Sequence, residues 1–200
     1  EFEHNIHLSF IPKNELWIDH ETHFRERRFF INNALHERAL IDEGAPEKEA
    51  HEKANGSELR ERIHDLPESL RALRNKHEEL VRHIHKDLLQ EWSTDTIKIW
   101  LVNGTLVRDF FLIEYASGGH DRVYPFIPEG EIWVEDILSE QERKFIILHE
   151  LHERFLMGGG KKYHEAHHGA TIVEDRYRDT PAKLESRIRE ELEKNNAEQR

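Results

Sequence analysis

The side chains of this 200-residue chain that could bind a metal ion cluster in its C-terminal half. The sequence HELHE occupies residues 149–153, and a second His-rich segment, YHEAHHGATIVE, occupies residues 163–174. Imidazole nitrogens and carboxylate oxygens are ligands that zinc and similar divalent cations accept. The chain has no cysteine, so disulfides, thiolate zinc sites and thiol catalysis are excluded, and a metal must be held by histidine and carboxylate.

The first of these segments, read as a helix, places two ligand types side by side. His149 and Glu153 are four residues apart, so they are neighbours on one helix face, and Glu150 lies one step to the side. This is the layout of the HExxH zinc hydrolases, with Glu in the place of the second His. His152 points toward the apolar stripe of the same helix, and the spacing leaves open whether His152 or Glu153 is the second ligand.

The second segment supplies a further ligand. On a helical wheel His167 and Glu174 share a face with Ala166 and Ala170, whose small side chains let this helix approach another one closely. His167 and Glu174 are therefore expected to point toward the helix on which this segment packs.

These positions predict a three-ligand zinc site. We expect His149, Glu153 and His167 to bind Zn²⁺ and to leave one coordination position for a water molecule. Glu150 is expected to be the general base that deprotonates this water. Glu174 is expected to be either a fourth ligand or a hydrogen-bond partner that orients an imidazole.

Four other side chains near these segments carry weaker signals. We expect His164 and His168 on the solvent-exposed face of their helix. His120, in the loop SGGHDR, is either a turn residue or a side chain that lines the site. Tyr163 is either a packed aromatic or a hydrogen-bond donor to an oxyanion.

A long stretch of the chain matches itself at a spacing of 116 residues. Between residues 4–62 and 120–178 the alignment has no gap and 23 of 59 positions are identical, including an FIPxxExW pattern that starts at Phe10 and again at Phe126. Such self-similarity indicates two copies of one unit. The predicted organisation is a degenerate first copy over residues 1–62, a helical spacer over 63–95, and a second copy with the metal site and a C-terminal helix over 96–200.

The first copy differs from the second at the positions that carry chemistry. Asn33 and Ala34 stand where the second copy has His149 and Glu150. The first copy has thus lost one ligand and the general base. We expect it to be a catalytically inactive partner that packs on the second copy about a pseudo-two-fold axis, as an intramolecular pseudo-dimer.

Two alternatives to a mononuclear hydrolase remain open. One is a non-catalytic duplicated module that binds a partner or a structural metal, which the histidines shared by both copies favour: His36 with His152, and His51 with His167. The other is a carboxylate-bridged dinuclear centre, for which the candidate ligands are Glu150, Glu153 and Glu174.

Local signals predict an α+β architecture for the second copy. Asn103-Gly104 is a strong hairpin signal, and Ser139 with Glu142 forms a capping box that starts a helix. We therefore expect a small antiparallel sheet packed on helices. The predicted strands cover residues 97–102, 105–113, 123–127 and 131–134, and the predicted helices cover 139–157, 161–178 and a segment that starts at Pro181.

The segments EIWVED, ERKFIILHELHERFLM and GGGKKYHEAHHGATIVE together resemble small prokaryotic zincin-like proteins, which carry HExxE or HExxH on one helix and a Tyr-x-x-Ala-His helix after it. The resemblance covers roughly residues 97–178 and, more weakly, 4–62. It implies a zincin-like fold and a metallopeptidase-like activity on a peptide or protein substrate. It assigns His149 and Glu153 as metal ligands and Glu150 as the base, with Glu153 departing from the usual second His.

The composition restricts the partners. The formal net charge of −12 argues against nucleic acid and against an anionic membrane surface, because both attract basic surfaces. No apolar run approaches the roughly 20 residues that a membrane helix needs. We therefore expect a cytoplasmic protein that binds neither nucleic acid nor membrane.

Overall fold

The computed structural model describes residues 2–20 and 22–198, and it confirms the α+β class. The chain divides into two compact units, each with its own helices and strands. The first unit comprises Glu1–Arg82 and Thr105–Tyr115, and the second unit comprises His83–Gly104 and Ala116–Arg200. In the part of the chain that the structure describes, none of the helices is long and apolar enough to cross a membrane.

The N-terminal elements begin with two short strands and two long helices. Strand β1 pairs antiparallel with β2, and α1 packs against α2. These elements and the two short helices after them are β1 (Phe2–His4), β2 (Leu16–Ile18), α1 (Arg27–Asp42), α2 (Glu47–Asp65), α3 (Glu68–Arg71) and α4 (His77–Ile84).

The remaining elements are a four-stranded sheet, the short helix α5 and three long helices. In chain order they are β3 (His85–Leu88), β4 (Lys98–Val102), α5 (Gly104–Phe110), β5 (Gly118–His120), β6 (Glu131–Glu135), α6 (Glu140–Gly158), α7 (Tyr163–Asp179) and α8 (Leu184–Glu198). The predicted spacer 63–95 is therefore helical only in part, because it ends in β3 and a short 3-10 turn, Gln90–Trp92.

The sheet of the second unit is mixed, whereas a purely antiparallel sheet was expected. Its strand order is β3-β4-β6-β5, in which the outer pairs are antiparallel and the central pair, β4 and β6, is parallel. A parallel pair needs a long crossover, and the residues between Val102 and Glu131 provide one.

The predicted hairpin at Asn103-Gly104 is wrong, because α5 starts at Gly104. Apolar residues at positions 106, 107, 110 and 111 recur at helical spacing, which suits a helix better than a strand. Gly104 is required for another reason: a Cβ at this position would overlap the side chain of Glu135. The glycine therefore permits a close approach and does not form a turn.

Two further expectations for the loops are also corrected. The SGGHDR segment contains strand β5, which pairs antiparallel with β6 and places His120 opposite Ile132. Residues 123–127 form turns and not a strand, whereas the strand expected at 131–134 is present as β6.

The long helices follow their sequence signals. The Ser139 hydroxyl accepts a hydrogen bond from the Glu142 backbone N–H at 3.2 Å, as the capping box predicts. Helix α6 ends at Gly158, and Gly160 adopts a left-handed φ of 92° that favours glycine. Helices α7 and α8 both pack against α6, whose residues Ile147, Leu148 and Leu151 are buried in the core of the second unit.

Candidate metal centre

Helices α6 and α7 bring the three predicted ligands together. His149 Nε2 lies 3.1 Å from His167 Nδ1, and His167 Nδ1 lies 2.7 Å from Glu153 Oε2. The third side of the triangle, from His149 Nε2 to Glu153 Oε2, is 3.6 Å. Ligand atoms at zinc bond lengths on a tetrahedron are roughly 3.3 Å apart, so one cation can contact all three.

The approach of the two helices depends on small residues of α7, as the sequence predicts. Ala166 and Ala170 are fully buried. At Gly169 an added Cβ would lie 2.9 Å from Leu156 Cδ1, so a larger residue there would require the Leu156 side chain to shift. His167 is positioned by this close packing, and its side chain keeps 49% of its surface exposed. The candidate site is therefore open to solvent on the α7 side.

Glu174 occupies the position of an orienting partner. Its Oε2 lies 2.7 Å from His149 Nδ1, which is the ring nitrogen opposite the one that faces Glu153. The Arg178 guanidinium donates to the other Glu174 oxygen at 2.7 Å. A carboxylate on the remote ring nitrogen fixes the imidazole tautomer and directs its other nitrogen toward a metal. Of the two roles expected for Glu174, the geometry favours the second.

His120 belongs to the site, although the sequence signals left its role open. It is fully buried on β5, and its Nε2 lies 3.1 Å from Glu153 Oε1. Its Nδ1 accepts the backbone N–H of Arg122 at 3.2 Å, which leaves the ring proton on Nε2 to be donated to Glu153. Glu153 Oε1 therefore faces His120, whereas its Oε2 faces His149 and His167. The one sequence signal for His120 is its alignment with His4 in the repeat.

Glu150 lies beside Glu153 and His120, with ligand atoms of all three within 4.8 Å of one another. Strand β5 approaches it closely, because an added Cβ at Gly118 would lie 3.3 Å from Glu150 Cγ. Burial raises the pKa of Glu150 to about 8, and the negative charges of Glu153 and Glu174 act in the same direction. At this pKa the carboxyl group is mostly protonated at pH 7, and a nearby cation would favour its ionised form, which is the form that accepts a proton.

The charges of the site are strongly coupled. Burial alone would raise the pKa of Glu153, but its hydrogen bonds with His120 and His167 and its contact with His149 outweigh burial and lower this pKa to about 2. Burial alone would lower the pKa of His149, but its contact with Glu153 and its hydrogen bond to Glu174 raise it to about 10. A proton on His149 thus supplies the positive charge that a bound cation would replace. Metal binding must displace this proton and is therefore favoured by high pH.

The other expected residues lie outside the ligand set. His152 faces α8, where its Nδ1 lies 3.1 Å from Glu191 Oε1, so Glu153 and not His152 faces the candidate site. His164 and His168 are exposed, as predicted. Tyr163 is 46% exposed and its ring centroid lies 5.5 Å from that of His167.

The chain matches no family model, no curated protein sequence and no solved structure. The resemblance to zincin-like proteins therefore stays a prediction that rests on the motifs alone.

The position of Glu174 leads to a first prediction. Glu174→Gln removes the charge behind His149, so the affinity for zinc should fall about 10-fold to 100-fold while the fold is kept. Isothermal titration with zinc measures the change. Glu165→Gln is the matched control, because Glu165 is exposed on the same helix, and it should bind zinc as the parent does. Equal affinities for the two variants would contradict the orienting role.

Proposed function

We propose that the second unit is a metal-dependent hydrolase, with zinc as the expected metal and a peptide carbonyl as the expected target. The observation that carries the proposal is the convergence of His149, Glu153 and His167 within 2.7–3.6 Å of one another, with the Glu150 carboxyl close to one of them, Glu153. This is the arrangement that hydrolytic metal sites need: ligands for a cation and a base within reach of water.

Each residue has a distinct role in this proposal. His149, Glu153 and His167 hold the cation, whose chemistry is to polarise a carbonyl and to lower the pKa of a coordinated water. Glu150 accepts the water proton and returns it to the leaving group. His120 donates to Glu153 and keeps its carboxylate in place. The exposed edge of His167 leaves the site accessible to a substrate.

We also propose that the two units derive from one duplicated unit. The strand pairs have the same register at a spacing of 116 residues: Phe2 faces Ile18, and Gly118 faces Val134. Gly44, the counterpart of Gly160, also has a positive φ, and both close the helix that precedes them. The contacts of the aligned polar residues repeat as well: His4 with Glu37 as His120 with Glu153, and Arg62 with Glu58 as Arg178 with Glu174.

A non-catalytic metal-binding module is the second candidate. It is favoured by one observation: the first unit keeps a buried glutamate, Glu37, in contact with His4 and His51, although Ala34 stands in the place of the base. Because the first unit lacks the base, its contacts between Glu37 and the two histidines can serve binding or packing but not hydrolysis. A variant of Glu150 separates the two candidates, as argued in the Discussion.

The proposed ligand set is tested by metal content. Protein purified without added metal should contain zinc, and His149→Ala combined with His167→Ala should remove one equivalent, measured by elemental analysis for zinc and iron. His164→Ala combined with His168→Ala is the control on the same helix and should remove none. Unchanged metal content in the first double variant would contradict the proposal. A loss of two equivalents would indicate the carboxylate-bridged dinuclear centre, for which the candidate ligands are Glu150, Glu153 and Glu174.

A further inference from the structure

The first unit contains a second His–Glu cluster, centred on Glu37. This residue is completely buried on α1. His4 Nε2 lies 3.2 Å from its Oε2, and His7 Nε2 lies 3.1 Å from its Oε1. His51 Nδ1, from α2, lies 3.3 Å from the same Oε1. Three imidazoles from two segments, the N-terminal strand with its following turn and helix α2, thus converge on one buried carboxylate.

The arrangement repeats that of the second unit with one exchange of ligand. In both units one oxygen of the glutamate faces the strand histidine and the other faces two imidazoles. In the second unit one of these two imidazoles is His149, whose counterpart is Asn33. In the first unit His7 takes that place, from the turn after β1. The lost ligand is therefore replaced from a different segment.

The turn that carries His7 is fixed by local hydrogen bonds. The backbone N–H groups of His7 and Leu8 donate to the His4 carbonyl at 3.2 and 3.0 Å. The Asn5 amide donates to the Ile11 carbonyl at 3.0 Å. As a result the rings of His4 and His7 lie side by side, with centroids 4.6 Å apart and planes tilted by 32°, and both present Nε2 to Glu37.

His51 provides an independent observation. Its Nδ1 atom is buried and makes no hydrogen bond of acceptable geometry, although it points to Glu37. Its other ring nitrogen lies 2.8 Å from Glu114 Oε1 and 3.0 Å from Asn55 Nδ2. A buried nitrogen without a hydrogen bond costs free energy, and a cation between Nδ1 and the carboxylate would satisfy both.

We propose that the first unit binds a divalent metal ion of the zinc type through His4, His7 and Glu37, with His51 completing the site. Imidazoles with one carboxylate form a donor set for zinc and its neighbours in the first transition row, and not for calcium or magnesium. The site is non-hydrolytic, because Ala34 stands where the second unit has its base. The proposal does not depend on the function proposed for the second unit.

A cavity beside the cluster gives a cation access. It has a volume of about 340 Å³ and is lined by residues of the first unit, among them His7, His51, Asn55 and Glu114. Two carboxylates, Glu3 and Glu114, and one guanidinium, Arg108, line this cavity, so its formal charge with neutral histidines is −1. The metal would thus lie at the inner wall of a weakly acidic cavity.

The test counts zinc ions on the full chain after removal of metal with a chelator. Zinc titration followed by elemental analysis should give one equivalent in each unit of the parent protein. His149→Ala with His167→Ala should leave one equivalent, and adding His7→Ala with His51→Ala should remove it. His20→Ala with His64→Ala, at side chains 91% and 87% exposed in the first unit, is the control and should remove none.

The outcomes separate this site from the one in the second unit. A second-unit double variant that binds no zinc, while the parent binds one equivalent, would overturn the first-unit site and leave the proposed function intact. A remaining equivalent that disappears only with the His7 and His51 substitutions would establish it. Circular dichroism on each variant shows that the helices are kept. His7 and His51 are each 34% exposed, so their truncation should be tolerated by the fold.

Discussion

Replacing Glu150 by Gln is expected to lower the hydrolytic rate constant of the zinc-loaded protein by about 10²-fold to 10⁴-fold. The amide has nearly the same shape as the carboxyl group but cannot take a proton from water. Because Glu150 lies near Glu153 and His120 and is not one of the three proposed ligands, zinc content should stay the same. The loss should therefore appear in kcat, measured on a library of fluorogenic peptides.

The controls for this prediction distinguish catalysis from binding. Glu165→Gln removes an exposed carboxylate from α7 and should leave the rate unchanged. Loss of one zinc equivalent in Glu150→Gln would identify Glu150 as a ligand, as in the dinuclear alternative. If the parent protein binds zinc but cleaves no member of the library, and Glu150→Gln is identical to it, the non-catalytic module is the correct description.

The sequence predicted the helical half of the site well because a helix has a fixed period. Four residues separate His149 from Glu153, so any α-helix places them on one face, and the small residues of α7 indicated where that helix approaches another. The bounds of α6 and α7 followed from the Ser139 cap and from the glycines at 158–160. Local rules were sufficient for these elements.

His120 could not be assigned in the same way because a strand pairing brings it to the site. Its position depends on the register between β5 and β6, which is set by contacts between residues distant in sequence. The same reason explains the error at Asn103-Gly104. The dipeptide is a turn signal, but the sheet places β4 parallel to β6, so the chain leaves β4 through a helix instead of a hairpin.

Position-by-position alignment of the two copies also missed His7. The aligned residue in the second copy is Val123, so the comparison of the two copies gives no reason to single out His7. Only the three-dimensional contact between His7 and Glu37 shows that another segment provides an imidazole where Asn33 does not. The alignment thus shows the loss of an imidazole at position 33, although the first unit keeps the same number of imidazoles around its glutamate.

The second large effect is expected in the buried ion cluster of the first unit. Glu26 is 1% exposed, and both its oxygens accept hydrogen bonds from Arg108 at 2.7 Å. Arg62 donates to it at 2.9 Å and Thr105 at 2.9 Å. Glu26→Gln leaves two buried guanidinium groups without this charge, which should lower the free energy of unfolding of the first unit by about 3–5 kcal/mol.

The repeat offers a matched control for this variant. Glu142 occupies the equivalent position and pairs with Arg178, but these side chains are 31% and 35% exposed. Because solvent weakens exposed ion pairs, Glu142→Gln should lower the free energy of unfolding of the second unit by less than about 1 kcal/mol. Hydrogen exchange measured by mass spectrometry on peptides of α1 and of α6 reports the two units separately. Equal losses of unfolding free energy in the two units would show that burial does not make the Glu26 ion pairs more stabilising than the exposed Glu142 pair.

The pH dependence provides a second test with a defined sign. Burial alone would raise the pKa of Glu26, but Arg108 and Arg62 outweigh it and lower this pKa from 4.5 to about 2, which corresponds to about 3 kcal/mol. Because the pKa of Glu26 is lower in the folded state than in the unfolded state, its carboxylate stabilises the fold above pH 4.5. This stabilisation is lost as the pH falls toward 2. The difference between the parent and Glu26→Gln, both free of metal, should therefore shrink across this range. Asp109, whose pKa is raised by burial and also by the Glu26 charge, acts in the opposite direction, and its contribution is smaller in Glu26→Gln because the variant lacks that charge. A difference that stays constant between pH 5 and pH 2 would show that the Glu26 carboxylate does not hold the cluster together.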